Sequence, residues 1–381
     1  MIYLDNHATT PCDPKVIEAM LPFFGETFGN PSSTIHEAGR RADNAVKHAR
    51  QQVADLIGAK TKEIIFTSGA TESNNIAIQG LIKGSNGSRR QIVTTPIEHK
   101  ALLNQCKVLS KEDWEIVYLP VDRMGTVDLY EAKKLITSNA LVVSVQIASN
   151  EIGTIQPIGE IAKLTYENGA YFHSDAAQAV GKIPVDVNQM GVDLLSISAH
   201  KMYGPKGIGA LYVRGGAYAM PIKPLVHGGE QEFNLRSGTL NVPGIVGFGK
   251  ASELCKEYLV EESEQIGALR DFLEDKLMES VDVQRNGNLE NRLSGNCSFT
   301  FPGIDAEALI VNMADFAISS GSACTSGAPE PSYVLEAIGL SREEAFSTIR
   351  IGLGRFNSNE DIKEFIIELF SSLGKLAGIA P

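Results

Sequence analysis

Apolar positions repeat at two different periods along this chain. Ala42, Ala45, Val46, Ala49, Val53, Leu56 and Ile57 recur at helical spacing, and Gly58 supplies a stop, so a helix is expected there. The apolar, β-branched run Glu63–Thr67 then reads as a strand, followed by a helix over about Thr71–Ile82. Further strand patterns occupy Ile92–Thr95, Glu115–Leu119, Leu141–Ile147, Tyr171–His173, Leu194–Ser198 and Ile208–Val213. Helical stretches lie between several of them, such as Ile158–Asn168 ending at Gly169. Strands alternating with helices over this span predict an α/β fold, with a mostly parallel sheet covered on both faces.

The pattern changes near Pro243. Residues Ile245 to about Met278 predict one or two long helices. Strands at Cys297–Phe301, Phe316–Ser319 and Thr348–Gly352 follow, with helices at Ala306–Met313 and Glu360–Leu376. This organisation predicts a large domain over residues 15–255. A smaller α+β domain would be built from residues 1–14 and 256–381.

Composition narrows the function. The 381 residues carry 34 Lys+Arg and 46 Asp+Glu, a formal net charge of −12, which argues against nucleic acid as a direct ligand. No apolar run approaches the ~20 residues of a membrane span. The start, Met1 to His7, lacks the basic and apolar regions of a signal peptide, so a cytoplasmic protein is expected. Cys12, Cys106, Cys255, Cys297 and Cys324 are scattered and odd in number, which favours free thiols over disulfides or zinc ligation.

Five segments carry candidate chemistry. Ser68–Asn75 turns from a strand into a helix through small residues, the arrangement of a phosphate-binding helix N-terminus or of an ordinary capped turn. Lys201 follows an apolar strand, where burial would lower its pKa toward Schiff-base chemistry; Ser198 and His200 beside it could donate to an anion. Asp175 ends another strand among alanines, either as a helix N-cap or as a buried partner for a cation. His99 lies just past a further strand, and ligands collect at the carboxyl ends of strands in open α/β sheets. The segment Ser319–Pro331 is almost entirely small or turn-forming around Cys324, which marks that thiol as the reactive one.

Together these motifs resemble the cysteine desulfurases, pyridoxal 5′-phosphate (PLP) enzymes of the class V aminotransferase group, of the type with a long catalytic loop. The resemblance runs from Tyr3–Thr10 to Ser347–Phe356 and is most specific at Ser68–Asn75, Ser198–Gly209, Arg236–Leu240 and Ser319–Tyr333. It implies PLP fold type I, with a seven-stranded large-domain sheet. It also implies that Lys201 holds PLP as a Schiff base and shuttles a proton. Asp175 would pair with the pyridinium nitrogen, Gln178 with the ring hydroxyl, and His99 would stack on the ring and assist acid–base steps. Ala70, Thr71, Ser198 and His200 would hold the phosphate, joined by Thr239 from a partner subunit of a homodimer. Asn150 would lie by the cofactor and substrate, and Arg350 would clamp the carboxylate of L-cysteine. Cys324 would take the sulfur as a persulfide, release L-alanine and pass the sulfur to an acceptor protein, as in iron–sulfur cluster assembly.

Two features depart from the family. His7 stands where relatives usually carry a small or amide residue, and relatives that feed iron–sulfur scaffolds often carry a longer tail than the one ending at Pro381. The alternative functions are another class V enzyme, such as a selenocysteine lyase or aminotransferase, or a non-catalytic sulfur-relay protein.

Overall fold

The computed structural model describes residues 1–320, 330–376 and 378. Its centre is a seven-stranded sheet. From one edge to the other the strands are Ile64–Thr67, Gly209–Val213, Leu194–Ser198, Tyr171–Asp175, Ala140–Ser144, Gln91–Thr94 and Glu115–Tyr118. All pairings are parallel except those of Gly209–Val213, which runs antiparallel to both neighbours. The inner strands are buried along almost their whole length, which is why the sequence shows continuous apolar runs rather than alternation.

Helices cover both faces. On one side, Glu37–Leu56 sets Ala42, Val46, Ala49 and Val53 against Phe66, Val143 and Ile197 of the sheet. On the other, Ala70–Gly84 and Lys100–Leu109 bury Ile76, Leu81, Leu102 and Cys106 against Ile65, Ile92 and Leu194.

A single helix, Val242–Ser280, joins this layer to a second, smaller core. Pro243 sits in its first turn, where a missing N–H costs nothing. Ile245, Phe248, Leu254 and Cys255 belong to the large core, whereas Leu269, Leu273 and Leu277 belong to the small one. The boundary expected near residue 255 thus falls inside one unbroken helix. The small core is capped by a four-stranded sheet ordered Ser319–Ser320, Thr348–Gly352, Asn296–Thr300, Gln284–Arg285.

The strand expected at Phe316–Ser319 is split. Phe316–Ala317 pairs with Ile2–Tyr3, whereas Ser319–Ser320 pairs with Thr348–Gly352. Ile318 is buried between the two halves. The N-terminus therefore starts in the small unit and crosses toward the large sheet, where Thr10 N–H donates to the His200 carbonyl and Asp13 N–H to that of Tyr203. Among the described residues no helix is long and apolar enough to cross a membrane.

Candidate active site

The carboxyl ends of the central strands open on a cavity of about 500 Å³. It is lined by Ala8, Thr9, Ser68–Glu72, His99, Gln146, Ala148, Asn150, Asp175, Ala177, Gln178, Ser198, His200, Lys201, Lys206 and Gly207. Of the residues expected to form one site, Ala70, Thr71, His99, Asn150, Asp175, Gln178, Ser198, His200 and Lys201 all meet there.

Lys201 ends a single helical turn that follows the strand Leu194–Ser198. Two residues later Tyr203 adopts φ +62°, a conformation costly for a bulky side chain. It is held there by its N–H on Thr10 Oγ1 at 2.8 Å, by Arg355 N–H on its hydroxyl at 2.6 Å, and by the Arg355 guanidinium 4.1 Å above its ring. Lys201 Nζ donates to the carbonyls of His7 and, at 2.7 Å, Ala8. Burial pulls its pKa down to about 8, with Arg350 adding to the fall and Asp5 and Asp175 opposing it.

Asp175 is 6% exposed at the end of its strand. Its Oδ2 accepts Asn74 Nδ2 at 2.7 Å and its Oδ1 accepts the N–H of Ala177 at 2.9 Å. Both donors are neutral, and among the described residues no cation forms an ion pair with it. A nearly buried carboxylate without a cation calls for one. Gln178, one turn on, is tied through Nε2 to the His7 carbonyl at 2.8 Å, and its Oε1 accepts Lys182 Nζ at 2.7 Å.

The far end of the cavity is built for an anion. The helix Ala70–Gly84 begins at Gly69 with no side-chain cap, so its first N–H groups face the cavity unclaimed by a cap. Gly69 has φ +149°, open only to glycine, and at Gly209 a Cβ would come 2.7 Å from Gly69 Cα. His200 joins as a neutral ring: burial and the nearby Lys201, Lys206 and Lys182 hold its pKa at about 4, and Nδ1 lies 3.0 Å from Thr9 Oγ1. An uncapped helix terminus at one end and a cation-seeking carboxylate at the other fit a phosphorylated, protonated pyridine with a lysine between them.

His99 caps the helix Lys100–Leu109, with Nδ1 accepting the N–H of Ala101 at 3.1 Å. Its hydrogen is therefore on Nε2, and partial burial together with Lys201 and Lys100 keeps its pKa below the ordinary value against the pull of Asp175. Arg350 lies behind the cavity rather than on its wall. It pairs with Asp5 Oδ1 at 2.7 Å, donates to the Asn150 carbonyl at 3.1 Å and reaches Ser319 Oγ at 3.2 Å. Thr239 is exposed and does not line this chain's cavity. Cys324 lies outside the described residues.

Sequence reasoning did not single out Asn74, Glu98, Lys182 or Asp5 as site residues. Glu98 is fully buried, accepts the Thr95 hydroxyl at 2.7 Å and the Gln146 N–H at 3.0 Å, and burial pushes its pKa up to about 8.

A family model described as Aminotransferase class-V matches residues 2–365. The chain is 48% identical over 381 residues to a cysteine desulfurase IscS of Rickettsia rickettsii (strain Iowa), covering 100% of this chain and 93% of the relative. Among solved structures it is similar to one described as a NifS-like protein, with TM-score 0.92, 38% identity, and 98% of this chain and 100% of that one covered. It is also similar to SspA in complex with cysteine, with TM-score 0.84, 39% identity, and 94% and 100% covered.

Proposed function

The chain belongs to the class V aminotransferase family and, within it, to the cysteine desulfurases, and from that membership we propose that its central cavity holds PLP and desulfurates L-cysteine. The observation that carries this reading is the convergence of Lys201, Asp175, Gln178, His99 and the uncapped Ala70–Thr71 helix terminus on one cavity. Lys201 Nζ would hold the cofactor covalently, Asp175 would face its ring nitrogen, and Gln178 Nε2 would donate to its ring oxygen. Ala70, Thr71, Ser198 and His200 would hold its phosphate. When bound, PLP supplies an electron sink that acidifies the substrate Cα–H and loosens the Cβ–S bond.

The chain's own groups do the rest. Lys201 Nζ, with its pKa pulled down to about 8, takes the Cα proton and returns protons to carbon. His99 presents Nε2–H over the cavity as a donor. Arg350 is fixed by Asp5 at the cavity's back and would turn its remaining N–H groups to the substrate carboxylate, with Asn150 beside it. The Cys324 thiolate attacks the substrate sulfur: the S–S bond forms, the Cβ–S bond breaks with its electron pair left on carbon, and that carbon is protonated. The sum is L-cysteine plus Cys324–SH giving L-alanine plus Cys324–S–SH. Among the described residues, Ser319 Oγ accepts from Arg350, and Ser332 donates to Glu151 next to Asn150.

A second copy of the chain is part of this proposal. Thr239 is exposed and does not line its own chain's cavity, and Leu21, Phe24, Phe28 and Ile35 are exposed apolar residues within one short stretch. The sulfur leaves to an acceptor protein, which the net charge of −12 supports over direct transfer to nucleic acid.

The test is to give PLP-loaded protein L-cysteine and measure alanine and the mass of the Cys324 peptide. Equal amounts of alanine and a one-sulfur mass gain on Cys324 are expected, and Cys324→Ser should abolish both. Amino transfer that persists in Cys324→Ser without alanine would point to an aminotransferase instead.

A further inference from the structure

His7 is 2% exposed behind the cavity. Its ring lies against Gly352: a Cβ there would come 3.0 Å from His7 Cδ2 and 2.9 Å from His7 N. Counting donors and acceptors fixes the protonation of that ring. Gln178 Nε2 donates to the His7 carbonyl at 2.8 Å, so the other atom of the same amide, Oε1, is an acceptor. Oε1 receives Lys182 Nζ at 2.7 Å and lies 3.1 Å from His7 Nδ1, so Nδ1 carries a hydrogen. Nε2 is buried with no hydrogen-bond partner among the described residues. Burial, with Lys182 and Arg350 acting the same way, holds the imidazole pKa well below its ordinary value, against the opposing pull of Gln178 and the Gly295 carbonyl. The ring is thus neutral, with Nδ1–H turned to Gln178.

The His7 carbonyl also accepts from Lys201 Nζ. One residue therefore touches both ends of the Gln178 amide and the amine of Lys201. If the amide turned over, Oε1 would oppose the His7 carbonyl and Nε2 would oppose two donors. We propose that His7 is a positioning residue whose Nδ1–H locks the Gln178 amide so that the second hydrogen of Nε2 points into the cavity. This rests on the reading above that the cavity holds PLP with its ring oxygen at Gln178. A hydrogen bond donated to that oxygen favours its anionic form, so losing the lock favours the protonated form of the bound cofactor.

Two measurements test this. In protein without PLP, long-range nitrogen–hydrogen correlation of labelled histidines should show His7 protonated at Nδ1 and bare at Nε2. The opposite tautomer overturns the proposal whatever the cofactor does. In PLP-loaded protein, the pH midpoint of the visible absorption band should rise by about one unit in His7→Phe, a tenfold change or about 1.4 kcal/mol. His7→Asn, which keeps a donor, should return it to the wild-type value. Gln178→Ala should raise the midpoint as far, and adding His7→Phe to it should move it no further. A wild-type midpoint in His7→Phe, or additive shifts in the double variant, would sink the proposal. If His7→Phe does not fold, the tautomer and His7→Asn decide. Failure of the wild type to develop a Lys201-dependent band with PLP would instead defeat the cofactor reading, and the tautomer would still report on the lock.

Discussion

The lowered pKa of Lys201 has a direct kinetic consequence. An amine attacks an aldehyde only in its neutral form. At pH 7 a lysine at its ordinary value of 10.5 is neutral in about 0.03% of molecules, whereas one at about 8 is neutral in about 9%, roughly 300-fold more. Cofactor-free protein should therefore take up PLP far faster than a free alkylamine does at pH 7, and the advantage should shrink as pH rises past 8. The shift has named causes that substitution can separate. Arg350→Gln removes a charge that lowers the pKa and should move the break in the profile upward; Asp175→Asn removes one that raises it and should move the break downward. Stopped-flow absorbance from pH 6 to 10, normalised to the free amine, reads all three. A normalised rate that stays flat through pH 9.5, with no fall above 8, would refute the reasoning. The same group carries a stability signature. Between about 8 and 10.5 the unfolded chain holds a proton that the folded chain has released, so the cofactor-free protein should gain stability from Lys201 as pH rises through that window.

Three further outcomes follow from buried groups. Arg50 grips Glu232 at 2.6 and 2.7 Å while that carboxylate, 1% exposed, also accepts the Phe66 N–H. Arg50→Ala strands it and should cost about 3–5 kcal/mol in denaturant unfolding; a loss below about 1 kcal/mol would show that the pair is not the anchor. Burial pushes the thiols of Cys106 and Cys255 up to about 12 and those of Cys12 and Cys297 upward too, so brief alkylation of native protein near neutral pH should label Cys324 alone. Peptide mass mapping checks it, and label on any of the other four thiols contradicts it. Glu98 has a folded pKa of about 8 against an ordinary 4.5, so the folded chain holds a proton that the unfolded chain loses between those values. Relative to Glu98→Gln, wild type should lose stability as pH rises through that window, by up to about 1.4 kcal/mol per unit, and equal slopes for both would disprove it.

The alternation of strands and helices was legible because each central strand is buried on both faces and so reads as an unbroken β-branched run. The chemistry at strand ends was legible for a related reason: small or charged residues there interrupt those runs. The division into two units was harder to place, because Val242–Ser280 keeps one helical period while changing cores. Ile245 and Phe248 on one side and Leu273 and Leu277 on the other look alike in sequence, and only the solvent-facing middle of the helix separates them. The split of Phe316–Ser319 left no trace either, since both halves are extended and differ only in which strand they meet.

Long-range polar pairings were the real blind spot. Asn74 meets Asp175 across 101 positions and His7 meets Gln178 across 171, and neither pairing leaves a local pattern. The clearest instance is the segment from Asp5 to Thr10, which belongs to no long helix or strand and reads as a polar turn. Asp5 fixes Arg350; the carbonyls of His7 and Ala8 hold Lys201; His7 holds Gln178; Thr9 and Thr10 hold His200. Much of that work is done by backbone oxygens, which every residue carries and no side-chain pattern can reveal. Because the same segment starts in the small core through Leu4 and ends at the large sheet, any shift between the two units must pass through the contacts that place the lysine and the arginine. The N-terminal turn is therefore part of the active-site framework, and its substitutions should be judged by what they do to Lys201 and Arg350 rather than by their effect on the turn itself.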